Sequence, residues 1–256
     1  MRSVAHRPVS GPFTMTRTLL RTLALGIRQL VVPGACLACR RPLTPEWEDF
    51  CPSCRPQFLT DPHVTCPRCS STVGPHVELT DGCVRCRKES FAFESAMRLG
   101  PYEGLLRDLI LKMKQTDGEP VAEAVGAAWA EASAELLLEL GADVVVPVPL
   151  HWWRRWTRGF NQSECLARAL ASRLQLRCRR WLKRTRYTPK QTAIARSARR
   201  DNVRGAFRTA RSADVRGKTV LLVDDVLTTG STAHEAARAL RRAAASRVVV
   251  AILGHG

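Results

Sequence analysis

Residues 220–232 read VLLVDDVLTTGST: four apolar residues, two adjacent aspartates, then small hydroxyl residues around one glycine. With Lys218 and Thr219 in front, this run is too continuously apolar for a strand with one wet face, and it predicts a strand buried on both faces of a parallel sheet. STAHEAARALRRAAA from Ser231 predicts a helix, and RVVVAIL from Arg247 a second buried strand. Strands alternating with helices define an α/β fold, a parallel sheet flanked by helices. Asp224 and Asp225 end their strand, and open parallel sheets bind ligands beyond the carboxyl ends of their strands. The loop Val226 to Thr232 leads into a helix whose first N–H groups lack partners inside it, so the turn cups an anion. Thr228, Thr229, Ser231 and Thr232 add hydroxyl donors, and Gly230 lets the backbone come close. A Walker loop is excluded because Ser231 follows Gly230 and there is no lysine, and the Gly-x-Gly-x-x-Gly dinucleotide fingerprint is missing. A small phosphate cup directly behind two carboxylates suits a sugar phosphate, with acids on hydroxyls and the turn on the phosphate.

Upstream, DVVVPVPL predicts a short apolar strand over Val144–Val146, and YEGLLRDLILKMK a helix with Leu105, Leu106, Leu109, Ile110 and Met113 on one face. Further helices are predicted from Glu119 to about Leu140, stopped by Gly141, and from about Asn161 to Leu174. The stretch from Arg177 to Arg211 has few aliphatics and no clear period. In the 256-residue chain the formal net charge is +17, with 45% hydrophobic residues, so the excess is carried by a folding chain. Between His151 and Arg211, 18 Lys and Arg face only Glu164 and Asp201, a net +16, so this segment should meet an anion. Arg154, Arg155 and Arg158, in HWWRRWTRGF, follow the Val144–Val146 strand and open on the same sheet edge as the cup. Lys112, Lys114, Lys183 and Lys190 are further cations for a flexible loop. Trp152, Trp153 and Trp156 either pack beneath the arginine loop or stack on the bases of single-stranded nucleic acid.

Ten cysteines would suggest disulfides in a short secreted chain. The apolar stretch MTRTLLRTLALGIRQLVVPGAC is not an export signal: Arg28 and Gln29 interrupt it, and Pro33 stands where a lipobox needs Leu or Val. It reads as an amphipathic helix with Leu19, Leu20, Leu23, Ile27 and Leu30 at helical spacing, Met15 being the expected start. No other stretch is long enough to span a membrane, and the expected location is cytoplasmic. Cys36/Cys39, Cys51/Cys54, Cys66/Cys69 and Cys83/Cys86 are four knuckles separated by 11, 11 and 13 residues. Knuckle pairs of this kind hold zinc on four thiolates and staple a segment too poor in aliphatics to build a core. We assign Cys36, Cys39, Cys51 and Cys54 to one structural Zn2+ and Cys66, Cys69, Cys83 and Cys86 to another; interleaved pairing, iron–sulfur ligation and disulfides are the competing readings. His63 and His76 are read as surface residues, Cys165 and Cys178 as core thiols. The expected organisation is an extension with amphipathic helix over 1–34, a double zinc ribbon over 35–95 whose halves look duplicated, and the α/β domain over 96–256.

VLLVDDVLTTGST resembles the phosphoribosyl pyrophosphate (PRPP) binding signature of type I phosphoribosyltransferases along its whole length. The resemblance implies that Asp224 and Asp225 bind the ribose 2′ and 3′ hydroxyls, and that Val226, Leu227, Thr228, Thr229, Gly230, Ser231 and Thr232 bind the 5′-phosphate. It also implies that the arginine loop meets pyrophosphate and Mg2+, making Asp224, Asp225, Arg154 and Arg158 the catalytic set. PVPL at 147–150, RGFNQ at Arg158–Gln162, RTRYTPKQ at Arg184–Gln191 and RRDNVRGAF at Arg199–Phe207 narrow this further. Together with the cysteine module and YEGLLRDLILKMK they resemble the ComF family, predicted phosphoribosyltransferases linked in some bacteria to competence and uptake of single-stranded DNA. The likeness covers nearly all of residues 16–256; the crowd of tryptophans departs from it. The implied reaction is displacement at the anomeric carbon of PRPP by an unknown acceptor, through an oxocarbenium-like transition state with pyrophosphate leaving. The other functional class is a non-catalytic PRPP or nucleotide sensor that binds single-stranded DNA or competence proteins.

Overall fold

The computed structural model describes residues 34–77, 79–80, 82–186 and 199–256. The helix expected over Leu19–Leu30, Lys190 and most of RTRYTPKQ lie outside the described residues. The chain divides into two compact units, Met1–Pro52 and Ser53–Gly256.

In the first unit the described residues form one knuckle. Ala35 and Pro42 pair in an antiparallel bridge, the N–H groups of Cys36 and Arg40 donate to the Arg41 and Cys36 carbonyls, and Arg40 takes a positive φ of 66°. The second unit repeats this pattern: Thr65 bridges Thr72, Cys66 and Ser70 donate to Ser71 and Cys66, and Ser70 has φ 62°. The duplicated look of the cysteine segment therefore has a backbone counterpart.

The second unit contains, in chain order, α1 (Arg55–Leu59), β1 (Ser95–Pro101), α2 (Gly104–Lys112), α3 (Glu119–Ala132), α4 (Ala134–Glu139), β2 (Val144–Pro147), α5 (Trp152–Arg158), α6 (Gln162–Arg173), β3 (Arg177–Cys178), β4 (Leu182–Arg184), α7 (Arg199–Val203), β5 (Phe207–Thr209), β6 (Thr219–Leu227), α8 (Ser231–Arg242) and β7 (Arg247–His255). The strands β1-β7-β6-β2-β3 form one parallel sheet in that order, and β4 pairs with β5 in a separate antiparallel hairpin.

The continuous apolar runs are central strands, as their composition requires. Val220 to Val223 and Val249 to Leu253 are fully buried. Side chains alternate across a strand. Val220, Leu222, Val248, Val250 and Ile252 meet Ala233, Ala236, Ala237 and Leu240 of α8 on one face, with Leu182 and Phe207 of the hairpin. On the other face α6 packs on β2 and β6, α2 on β7, and α3 on α6. Gly126 of α3 permits that last contact, since a Cβ there would stand 3.1 Å from the Ala169 methyl.

Two sequence expectations need correction. The single helix expected from Glu119 to about Leu140 is broken at Ser133, which ends α3 and caps α4 with φ −114° and ψ 14°. The arginine loop is a short helix, α5, whose N-cap is the side chain of His151. Its seven residues are too few for an apolar period, and none is buried.

Candidate functional site

From β2 the chain runs through α6 to β3 on one side; from β6 it runs through α8 to β7 on the other. The crevice at the carboxyl ends of β2 and β6 is therefore the topological switch point, where such sheets bind ligands. The acidic pair stands in it. β2 pairs with β6 up to Pro147 opposite Val223, and Asp224 and Asp225 come next. β6 does not end at the acids, because Val226 and Leu227 continue the ladder opposite Gly254 and His255 of β7. The turn is thus reduced to Thr228, Thr229 and Gly230 before α8 opens at Ser231.

Both acids are buried, Asp224 at 9% and Asp225 at 7% exposure. The first residues of α6 supply donors: Ser163 Oγ donates to Asp224 Oδ1 at 2.9 Å and Gln162 Nε2 to Asp225 Oδ2 at 3.2 Å. Backbone N–H groups of Asp225 and Val226 donate to Asp224 Oδ1 and Asp225 Oδ1. Lys114, just past α2, places Nζ 2.8 Å from Asp225 Oδ2. Burial, then the neighbouring Asp225 charge, pushes the Asp224 carboxyl well above the usual range. For Asp225 burial pushes upward too, but the Lys114 charge and the hydrogen bonds outweigh it and hold the group ionised. One acid is thus committed as an anion, and the other is held close to neutrality.

Cations gather on the β2 side. Asn161 Nδ2 ties the loop after β2 by donating to the Val148 carbonyl at 3.1 Å. Arg158 donates to Gln162 Oε1 at 2.5 Å, so it reaches Asp225 through an amide. Burial, Arg184 and Arg154 together push the His151 imidazole down, and burial with the Arg154 charge lowers the Arg184 guanidinium to about 10, opposed by Asp224. Arg154 and Arg184 are thus near enough to His151, and Asp224 near enough to Arg184, to act on one another's charge. Arg155 belongs to a different network: Glu164 binds Arg155, Arg168 and Arg180. Lys114 is anchored on Asp225, Lys183 lies on the exposed side of β4, and Lys112 closes α2.

Thr229 Oγ1 and Ser231 Oγ are 2.8 Å apart, and Gly230 has φ 73°. A Cβ on Gly230 would stand 2.8 Å from Phe91 Cε1, in a ring stacked on Phe93 at 4.5 Å. Gly230→Val should therefore lower stability by about 1–3 kcal/mol through left-handed strain alone. A urea titration showing no change would contradict this packing.

Residues that sequence reasoning passed over are His151, Ser163, Gln162 and Arg184. Gln162 and Ser163 were findable, because the polar start of a helix predicted from Asn161 lies on the same sheet edge as the acids. Arg184 carried no periodic signal, since β4 has three residues. The tryptophans do not pack beneath the arginines: Trp152, Trp153 and Trp156 are 65%, 47% and 74% exposed, and Trp153 meets both others at ring distances of 5.4–5.6 Å.

The cysteines gather as their spacing requires. In the first unit the sulfurs of Cys36, Cys39 and Cys51 lie within 4.8 Å of one another, with Cys54 just past the unit boundary. In the second, those of Cys66, Cys69, Cys83 and Cys86 do the same, all buried. The donor set fits zinc. Burial raises Cys66, but N–H bonds from Cys69, Arg68 and Cys83 bring it down to about 7, while burial and the adjoining sulfurs push Cys69 and Cys86 up. Four crowded thiols that cannot all ionise alone become stable thiolates around a dication. His63 and His76 are exposed, whereas burial pushes the Cys165 and Cys178 thiols up to about 11. Among the described residues, no helix is long and apolar enough to cross a membrane.

This architecture belongs to a known class. Residues 161–254, from the start of α6 to the end of β7, match the phosphoribosyl transferase domain family. DNA utilization protein YhgH of Escherichia coli strain K12 is 34% identical over 235 residues, covering 86% of this chain and 96% of that protein. Competence protein F of Haemophilus influenzae is 29% identical over 221 residues, covering 84% and 94%. The chain belongs to the ComF family, phosphoribosyltransferase-fold proteins with cysteine clusters ahead of the domain. A solved glutamine PRPP amidotransferase from B. subtilis, in complex with ADP and GMP, is 29% identical over 53% of this chain and 27% of its own length, with a TM-score of 0.36.

Proposed function

We propose that the crevice binds PRPP with Mg2+ and that the chain transfers the phosphoribosyl group to an acceptor. The observation that carries this reading is the buried acidic pair at the switch point, directly ahead of a hydroxyl-lined turn and a helix N-terminus. Asp224 and Asp225 grip the ribose 2′ and 3′ hydroxyls, while Thr228 to Thr232 receive the 5′-phosphate. Arg154 and Arg158, with Arg184 and His151 beside them, face the pyrophosphate. Lys114 now neutralises Asp225, and a ribose hydroxyl takes its place as donor. Mg2+ prefers oxygen ligands, and when bound it supplies charge to the leaving pyrophosphate. The protein's own contribution is fixed charge around the departing group, electrostatic catalysis without a covalent nucleophile.

In this reading residues 96–256 form the transferase domain and 35–95 a double zinc ribbon closed by two sets of four thiolates, in a cytoplasmic protein. Calorimetry with PRPP and magnesium tests the binding step, and pyrophosphate release with a panel of nucleobases tests turnover. Tight binding without release from any acceptor would favour a PRPP sensor over a transferase.

A second reading is favoured by the three exposed indoles on α5, interleaved with Arg154, Arg155 and Arg158. That surface suits single-stranded DNA, with bases stacking on the rings and phosphates on the guanidinium groups, and it fits the names of the relatives. Aromatic stacking contributes about 1–3 kcal/mol per base. Trp152→Ala with Trp156→Ala should therefore weaken oligothymidine binding at least tenfold with unchanged thermal stability, read by anisotropy at two salt concentrations.

A further inference from the structure

The phosphate turn faces a cavity of about 440 Å³ whose opposite wall comes from the cysteine segment. Thr228, Thr229 and Ser231 line one side; Ser71, Arg85 and Glu89 line the other. We infer that Arg85, which sits between the thiol ligands Cys83 and Cys86, is a binding residue for the 5′-phosphate, so that the second cysteine quartet completes the ligand site. The inference rests on the PRPP reading and adds to it a residue outside the transferase domain.

Three contacts join the wall to the turn. Phe91 lies against Gly230 so closely that no side chain fits there. The Ala92 N–H donates to His234 Nδ1, in the first turn of α8, at 3.1 Å. Ser71 Oγ lies 3.2 Å from His255 Nε2 and 3.3 Å from Cys69 Sγ, all three residues being buried. His255 itself pairs with Leu227, one residue before the turn. A ligand sulfur, a hydroxyl and an imidazole thus run in series from the quartet to the floor of the cup. Arg68 stiffens the same wall by donating to the Cys86 and Glu89 carbonyls at 2.8 and 2.5 Å.

Charge decides which side chain matters. The turn offers amides and hydroxyls but no cation of its own. Arg85 is exposed toward the cavity, and its guanidinium matches a phosphate edge with two parallel donors. Glu89 lines the same wall, so a dianion entering there needs a cation beside it, and Arg85 is the arginine lining the cavity. Truncating Arg85 therefore removes the charge-assisted hydrogen bond from that wall.

The test is calorimetric titration of the zinc-loaded full chain with PRPP and magnesium, for wild type, Arg85→Ala and Arg85→Lys, with zinc content and thermal midpoint measured alongside. We expect Kd to rise at least tenfold in Arg85→Ala and to recover partly in Arg85→Lys, with zinc content and midpoint unchanged. Wild-type binding that Arg85→Ala leaves within twofold overturns the inference alone. Weakening accompanied by lost zinc overturns it as well, because Arg85 would then act only by holding the knuckle. If wild type binds no PRPP, the PRPP reading fails first and this inference falls with it.

Discussion

Asp224→Asn should weaken PRPP binding more than about a hundredfold and, above neutral pH, make the protein more stable. Burial and the adjacent Asp225 charge lift the Asp224 carboxyl to about 7 in the folded chain, against about 3.9 for an unperturbed aspartate. A group whose folded value is raised contributes fully below its unfolded value, and that contribution is lost as pH rises through the folded one. Across about pH 4–7 the wild type therefore loses stability that an asparagine does not lose, while Asn Oδ1 still accepts from Ser163 Oγ and the Asp225 N–H. The expected gain at pH 8 is about 0.5–2 kcal/mol, as is common where a strained functional group is removed. Asp225→Asn should do the opposite, since Asp225 is held ionised by Lys114 at 2.8 Å and its loss leaves a half-buried ammonium unpaired. Both variants should lose PRPP affinity by more than about a hundredfold at pH 8, near 2.7 kcal/mol, because each replaces a carboxylate that accepts from a ribose hydroxyl, Asp225 ionised throughout and Asp224 ionised above about pH 7. Calorimetry gives the affinity, and chemical denaturation from pH 4 to 8.5 gives the crossing stability curves. Intact binding in both single variants would show that the acids are structural only.

Removal of metal is the second large effect. Zinc held by the quartet Cys66, Cys69, Cys83 and Cys86 would replace an aliphatic core, for the described segment around it packs only Val73, Leu79 and Phe91 against the sulfurs. Structural zinc sites of this type bind with apparent free energies of about 10–16 kcal/mol in peptides at neutral pH. Even if only about 3 kcal/mol of that reaches global stability, the thermal midpoint of a protein of this size falls by roughly 6–12 °C. Chelation, or Cys66→Ser with Cys69→Ser, should produce that drop together with loss of one zinc per chain in the variant. Because Phe91 and Ser71 link this segment to Gly230 and His255, chelation should also weaken PRPP. A midpoint unmoved by complete chelation would argue against the zinc assignment.

The sequence carried the long-range plan of this protein better than its fine placement of charge. Val220–Val223 and Val248–Ile252 were identifiable because central parallel strands need uninterrupted aliphatics, and α8 because its alanines and leucine repeat at helical spacing. The cysteine knuckles were readable because four thiols must come in close pairs. Arg154 and Arg158 were placed near the crevice, but Arg155, equal to them in the sequence, was drawn off by Glu164. That division depends on which way a seven-residue helix turns, and no period reports it. The break at Ser133 was hidden for a similar reason, since alanine and leucine suit either one long helix or two. The Ser71–His255 contact joins residues 184 apart and has no local trace at all.

Because Val226 and Leu227 keep their ladder partners in β7, the two carboxylates are built into a rigid lattice rather than carried on a free loop. They behave as a fixed post against which a sugar must align, and adjustment to the incoming molecule is left to Lys114 at the rim and to the cysteine segment overhead. Induced movement should therefore register as altered hydrogen exchange in 66–93 and 112–118, while 219–227 stays silent.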